Sequence, residues 1–212
     1  MQAIEEKLLR YLFSGKFKPG SRVIERDVSK ILGLSRIPVR ETIAHLTAKG
    51  ILVRGRKNFS VRIREYNPTE IRHLKELRNA IEIVAAQSAC TNRTTTQIRS
   101  MTRICDRLEK EVGSEDSSKW IDLDREFHSA IVKASGNERF IKDFRHIIME
   151  DHFALYLMPE IEGKRDRFSK RVIRNEKRVL RDHGALIKAI EKRDVRRAVL
   201  ITRKELTFNL DD

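Results

Sequence analysis

Residues 25–50, ERDVSKILGLSRIPVRETIAHLTAKG, decide the fold. Val28, Ile31 and Leu32 give the first eight residues one apolar side, and the run then meets Gly33-Leu34-Ser35. Val39, Ile43 and Leu46 repeat at helical spacing in the segment that follows. Gly33 can adopt the positive φ that ends a helix, and Ser35 is a good N-cap for the next one. Pro38 falls in the first turn, where backbone N–H groups have no intrahelical partner. Two short helices around a tight glycine-containing turn form a helix-turn-helix. Arg36 and Arg40 lie four apart on the first turns of the second helix and share a face. A recognition helix reads base edges from this end, and arginine grips guanine O6 and N7 with two hydrogen bonds. Ser35 and the free N–H groups beside it suit a phosphate.

The flanks complete the unit. Ile4, Leu8 and Tyr11/Leu12 mark an earlier helix, stopped by Gly15 and Pro19-Gly20. After Gly50, the stretches Ile51–Val53 and Ser60-Val61 read as two short strands around a basic turn holding Arg54, Arg56 and Lys57. Helix, helix-turn-helix and β-hairpin together predict a winged helix whose basic tip reaches a groove or its phosphates. The charge is distributed to match. Residues 1–66 carry 15 Lys+Arg against 6 Asp+Glu, or +9, while the remaining 30 against 25 give +5 of the total +14. Double-stranded DNA is the partner such a footprint fits.

The run PGSRVIERDVSKILGLSRIPVRETIAHLTAKGILV resembles the N-terminal domain of GntR-type bacterial transcription regulators. Its tokens are Pro19-Gly20, Glu25, Leu34-Ser35-Arg36, Pro38-Val39-Arg40-Glu41, Leu46 and Gly50. The resemblance implies DNA contacts from Arg26, Ser35, Arg36, Arg40 and the wing residue Arg56. Lys57 stands near a wing position where that family commonly has glycine.

Residues 62–66 read as a linker, dividing the chain into a DNA-binding part, 1–66, and a second part, 67–212. The second part is helical throughout. Asn67-Pro68-Thr69-Glu70 starts a helix with Ile71, Leu74, Leu77, Ile81, Val84 and Ala85 as its expected buried face. Thr94 to Gln97 is a second capping signal, Gly136 stops a helix, and Asn137 and Asp194 cap two more. The fourth of these helices is expected to end near Pro159, with 159–170 a loop and the start of the next helix. The whole predicts a mainly α chain: a winged helix-turn-helix followed by an antiparallel bundle. Cys90 and Cys105 form no disulfide framework or metal motif and read as reduced thiols. No apolar run is long enough for a membrane span and no signal-peptide core is visible, so a cytoplasmic protein is expected.

Asp124 and His128 are one turn apart beside Phe127 and Ile131, so both point into the bundle. His183 lies on the Leu180/Leu186/Ile187 face of a later helix. An inward histidine is commonly a hydrogen-bonded core residue, and an Asp–His pair one turn apart fits that reading too. Two imidazoles and a carboxylate also suit Zn²⁺, Ni²⁺ or a similar ion.

This half resembles the FCD ligand-binding domain of the FadR subgroup of GntR regulators. The likeness rests on Arg78…Glu82, Asp124–His128, Ser135–Asn137, and Asp182–Ile190 with Asp194. In metal-binding members the ligands are an Asp and a His four apart, a His in the next-to-last helix and a His in the last. The first three correspond to Asp124, His128 and His183, and the fourth to Glu205. Two outcomes stay open: a Zn, Ni or Mn site with Glu205 as a harder ligand, or a lost site with Glu205 paired to a base. Arg78 is either a carboxylate anchor for an effector or the structural partner of Glu82.

The resemblance implies a ligand-responsive regulator, most often a repressor, that binds a palindromic operator as a homodimer and takes a small organic acid. The rival from another class is a metal-dependent hydrolase built on Asp124, His128 and His183. It would need a poised acid–base group that the sequence does not place.

Overall fold

The computed structural model describes residues 2–12, 17–55, 60–114, 117–162 and 170–207. The wing-tip residues Arg56 and Lys57, and most of the expected 159–170 loop, lie outside these. The chain divides into two compact units, the bulk of the first being Met1–Pro68 and of the second Thr69–His152 with Asp166–Asp212.

In the first unit, α1 (Gln2–Leu12), α2 (Glu25–Leu32) and α3 (Arg36–Ala48) combine with a three-stranded antiparallel sheet. The strands are β1 (Arg22–Val23), β2 (Leu52–Arg54) and β3 (Val61–Ile63), in the order β1-β3-β2. Leu52 sits opposite Ile63 and Arg54 opposite Val61, as the expected hairpin requires. β1 is an addition to the two expected strands, pairing Val23 with Val61. Leu8, Leu12, Val39, Leu46, Ile51, Leu52 and Ile63 are fully buried and form this unit's core. Gly33 ends α2 with φ +65, and Leu34 N–H donates to Ser29 O at 3.0 Å. Nothing lies within 4 Å of a Cβ placed on Gly33. Gly33→Ala is therefore expected to add left-handed strain alone, about 1 kcal/mol. Hydrogen exchange at the α3 amides should then quicken by roughly fivefold.

The second unit is helical: α4 (Pro68–Asn92), α5 (Thr95–Lys110), α6 (Ser117–Ala134), α7 (Glu138–Glu162, of which this unit holds the part up to His152), α8 (Lys170–Glu191) and α9 (Val195–Thr207). Three of the expected caps form. Thr94 and Gln97 make a reciprocal capping box, with bonds of 3.2 and 2.8 Å. Asn137 Oδ1 accepts from Arg139 N–H at 3.0 Å, and Asp194 Oδ1 from Arg197 N–H at 3.0 Å. α7 runs to Glu162, beyond the end expected near Pro159. One core joins Ala89 and Cys90 of α4, Met101 and Leu108 of α5, Phe127 and Ile131 of α6, Leu186 and Ile190 of α8, and Ala198 of α9. A second cluster sets Phe144 and Ile148 of α7 against Ala85 and Val132.

The buried face of α4 differs from the expected one. Leu77 and Val84 are half exposed, whereas Lys75, Arg78 and Glu82 are buried with Ile71, Ala85, Ala86 and Ala89. Charged groups can take these inward positions because they pair there, so apolar periodicity misjudges the face. Cys90 is buried and Cys105 half buried, both as free thiols, and burial pushes the Cys105 thiol up to about 12. Neither is poised as a nucleophile. Among the described residues no helix is long and apolar enough to cross a membrane.

Candidate nucleic-acid interface and candidate metal centre

The first turn of α3 presents Ser35, Arg36, Ile37 and Arg40 to solvent, while Val39, Thr42, Ile43 and Leu46 face the core. Thr42 turns its hydroxyl onto Pro38 O at 2.8 Å and is satisfied inside. Ser35 occupies the N-cap position with extended backbone, yet its side chain makes no capping hydrogen bond. Its hydroxyl and the adjacent N–H groups thus stay available to an anion. Arg40 Nε donates to the two oxygens of Glu25, at 3.1 and 3.3 Å. This contact steadies the guanidinium from its Nε edge. Arg26 Nε donates to its neighbour Asp27 at 3.2 Å. Sequence reasoning missed the part of Glu25, whose only signal was its presence fifteen residues before Arg40.

The predicted ligands of the second unit come together. One donor atom from each of Asp124, His128 and His183 can be chosen so that all lie within 4.8 Å of one another. His128 Nε2 and His183 Nε2 each lie 3.6 Å from an Asp124 oxygen. Glu205 Oε1 joins from α9, at 2.7 Å from His183 Nε2 and 3.9 Å from His128 Nε2. His183, His128 and Glu205 are buried, and Asp124 is partly so.

The outer groups explain the orientation. His128 Nδ1 lies 2.7 Å from Glu82 Oε2, and a carboxylate can only accept, so Nδ1 carries the proton and Nε2 faces the cluster. Glu82 accepts in turn from Arg78 Nε at 2.6 Å, and Arg78 Nη1 donates to Asp151 at 2.5 Å. Burial by itself would raise the Glu82 carboxyl, but Arg78 and His128 hold it near 2. Burial would lower His128, but the carboxylates of Glu82 and Asp124 raise it to about 10. An ion binding at Nε2 must displace that second proton. Arg78 stays fully charged between its two carboxylates, which is the structural-partner reading of this residue. Asp151 and Lys75 were missed. Asp151 falls three residues after Ile148, where an acid on an apolar face was the available signal.

The donor set fits a divalent metal. His183 is fully buried, and neither of its ring nitrogens has a hydrogen-bond partner, although Nε2 approaches Glu205 to 2.7 Å. Nε2 and the Glu205 carboxylate thus lie side by side without a hydrogen bond between them, as two donors available to one cation. The His183 ring is held instead by Phe127, stacked at 3.8 Å between centroids and 21° between planes. Two imidazoles and two carboxylates suit Zn²⁺, Ni²⁺ or Mn²⁺.

Residues 73–207 match the FCD domain model, and residues 1–58 match that of the bacterial regulatory proteins of the gntR family. The chain belongs to the GntR family. Its FCD domain is the helical unit carrying the cluster. The Nta operon transcriptional regulator of Aminobacter aminovorans is 34% identical over 142 residues, a match spanning 66% of either chain. The GntR chain thus covers just under two thirds of that relative's length. YdhC of Bacillus subtilis (strain 168), an HTH-type transcriptional regulator, is 24% identical over 89% of this chain and 79% of its own. The structure of E. coli McbR/YncC superposes with a TM-score of 0.79 at 18% identity, over 98% of this chain and 93% of that one, a likeness of fold.

Proposed function

We propose that this GntR protein is a ligand-responsive bacterial transcription regulator of the FadR subgroup, acting as a repressor on a palindromic operator. The observation that carries the reading is the outward surface of the α3 first turn, Ser35, Arg36, Ile37 and Arg40, on a winged helix. Arg40 reads a guanine, Ser35 and Arg36 bind at the helix N-terminus, and Arg26 and the wing residues Arg56 and Lys57 add phosphate contacts. Two-fold operator symmetry implies a homodimer.

The helical unit takes the effector, a small organic acid. Asp124, His128, His183 and Glu205 hold a Zn, Ni or Mn ion, with Glu82 fixing the His128 tautomer. Such an ion supplies positive charge for an effector carboxylate. The chain's own groups bury the site, exclude water and keep the ligands aligned. Effector binding then favours one arrangement of the DNA-binding units over another. A hydrolase is disfavoured physically, because the His128 proton on Nδ1 is committed to Glu82.

Selection of binding duplexes from a random library with the full chain, at moderate salt, tests the reading. Enrichment of a symmetric sequence is expected; no preference over random DNA would sink it. On the enriched duplex, Arg40→Ala should lose about 1–3 kcal/mol. Equal loss on random DNA would make Arg40 a phosphate contact instead.

A further inference from the structure

Ile37 is 72% exposed, more than any other large hydrophobic residue among those described. It is the second residue of α3, directly after Arg36 and three before Arg40. Its neighbours Val39 and Ile43 are buried in the core, so the fold makes no use of the Ile37 side chain. An isolated exposed isoleucine is ordinary on a protein surface. This one stands on the turn whose outward groups, two arginines and the Ser35 cap, are otherwise polar and suited to DNA.

The chemistry of the major groove narrows what such a side chain can meet. Base edges there present hydrogen-bond donors and acceptors, and a single apolar group, the C5-methyl of thymine. We infer that Ile37 is a specificity-determining residue that packs on a thymine methyl in each half-site; this rests on the DNA-binding reading above. Positions three apart share a helix face and stand about 4.5 Å apart along its axis. One base step is about 3.4 Å, so the thymine lies about one step from the base that Arg40 reads. Arg40, braced by Glu25, supplies the polar half of the readout. Ile37 supplies the apolar half.

The test uses the full chain and its selected duplex. Each thymine is replaced in turn by deoxyuridine, which removes the methyl and leaves pairing intact. Wild-type protein is expected to lose about fourfold in affinity per half-site at one thymine position, the worth of one buried methyl. Ile37→Ala should bind the thymine and uracil duplexes alike while keeping its preference at the guanine. Ile37→Val, which retains a branched apolar surface, should retain the methyl effect. The exposure of Ile37 means that neither variant disturbs the core. Wild-type indifference to every uracil swap overturns the inference with the DNA-binding reading intact, as does a methyl effect that persists unchanged in Ile37→Ala. Failure of the selection to enrich any sequence overturns both.

Discussion

His183→Ala is expected to abolish stoichiometric metal uptake by the purified chain. His183 offers two ring nitrogens with no hydrogen-bond partner, in a fully buried ring fixed against Phe127. Removing it leaves Asp124, His128 and Glu205, with Asp124 and Glu205 no longer bridged through the His183 Nε2 that both approach. Loss of an outer partner typically lowers metal affinity by about 10–100-fold, and loss of a direct ligand should exceed that. Elemental analysis of protein never exposed to chelator gives the occupancy, and competition with a coloured chelator gives the affinity. Wild-type chain should hold one Zn, Ni or Mn ion, and the variant none. A variant that keeps one ion per chain would remove His183 from the ligand set. A wild-type chain that takes up no ion when metal is added would mean that Glu205 serves only to pair with His183.

The helix-turn-helix was legible because its punctuation is local: Gly33 at positive φ, Ser35 at the cap and Pro38 in the first turn each act within a few residues. The caps at Thr94, Asn137 and Asp194 were legible for the same reason. Asp124 and His128 were legible as a pair because helical spacing alone puts them on one face. β1 escaped, since a two-residue strand has no period to detect. The inward face of α4 was read wrongly at Leu77 and Val84 because counting apolar residues cannot register a buried charge network. What makes Arg78 and Glu82 tolerable inside is Asp151 on α7 and His128 on α6, partners distant in sequence. Asp124, His128 and His183 were thus visible by residue type and helical spacing and Glu205 through the family resemblance, whereas the bonds that tie the Arg78–Glu82 pair to Asp151 and His128 were not.

Arg78→Leu is expected to destabilise the helical unit by about 3–5 kcal/mol, the usual result of removing one partner from a buried ion pair. Glu82 is 1% and Asp151 0% exposed, so both carboxylates would be left inside without their common cation. Asp151 Oδ1 lacks a hydrogen-bond partner, so the bond from Arg78 to Oδ2 supports that charge together with the nearby buried Lys75. Glu82 would keep only His128, and the tautomer that aims Nε2 at the cluster would be less firmly held. Urea unfolding of the full chain, with chelator present to remove any contribution from metal, measures the loss. The double variant Arg78→Leu/Asp151→Leu separates the pairing from mere side-chain volume. It removes one of the stranded charges along with the cation, so it should recover part of the lost stability. A single variant that loses less than about 1 kcal/mol, the range of exposed pairs, would show the network to be hydrated. Arg78 would then be free to receive an effector carboxylate. A large loss partly repaired by the second substitution would instead assign Arg78 to holding Glu82, and through it His128, in place.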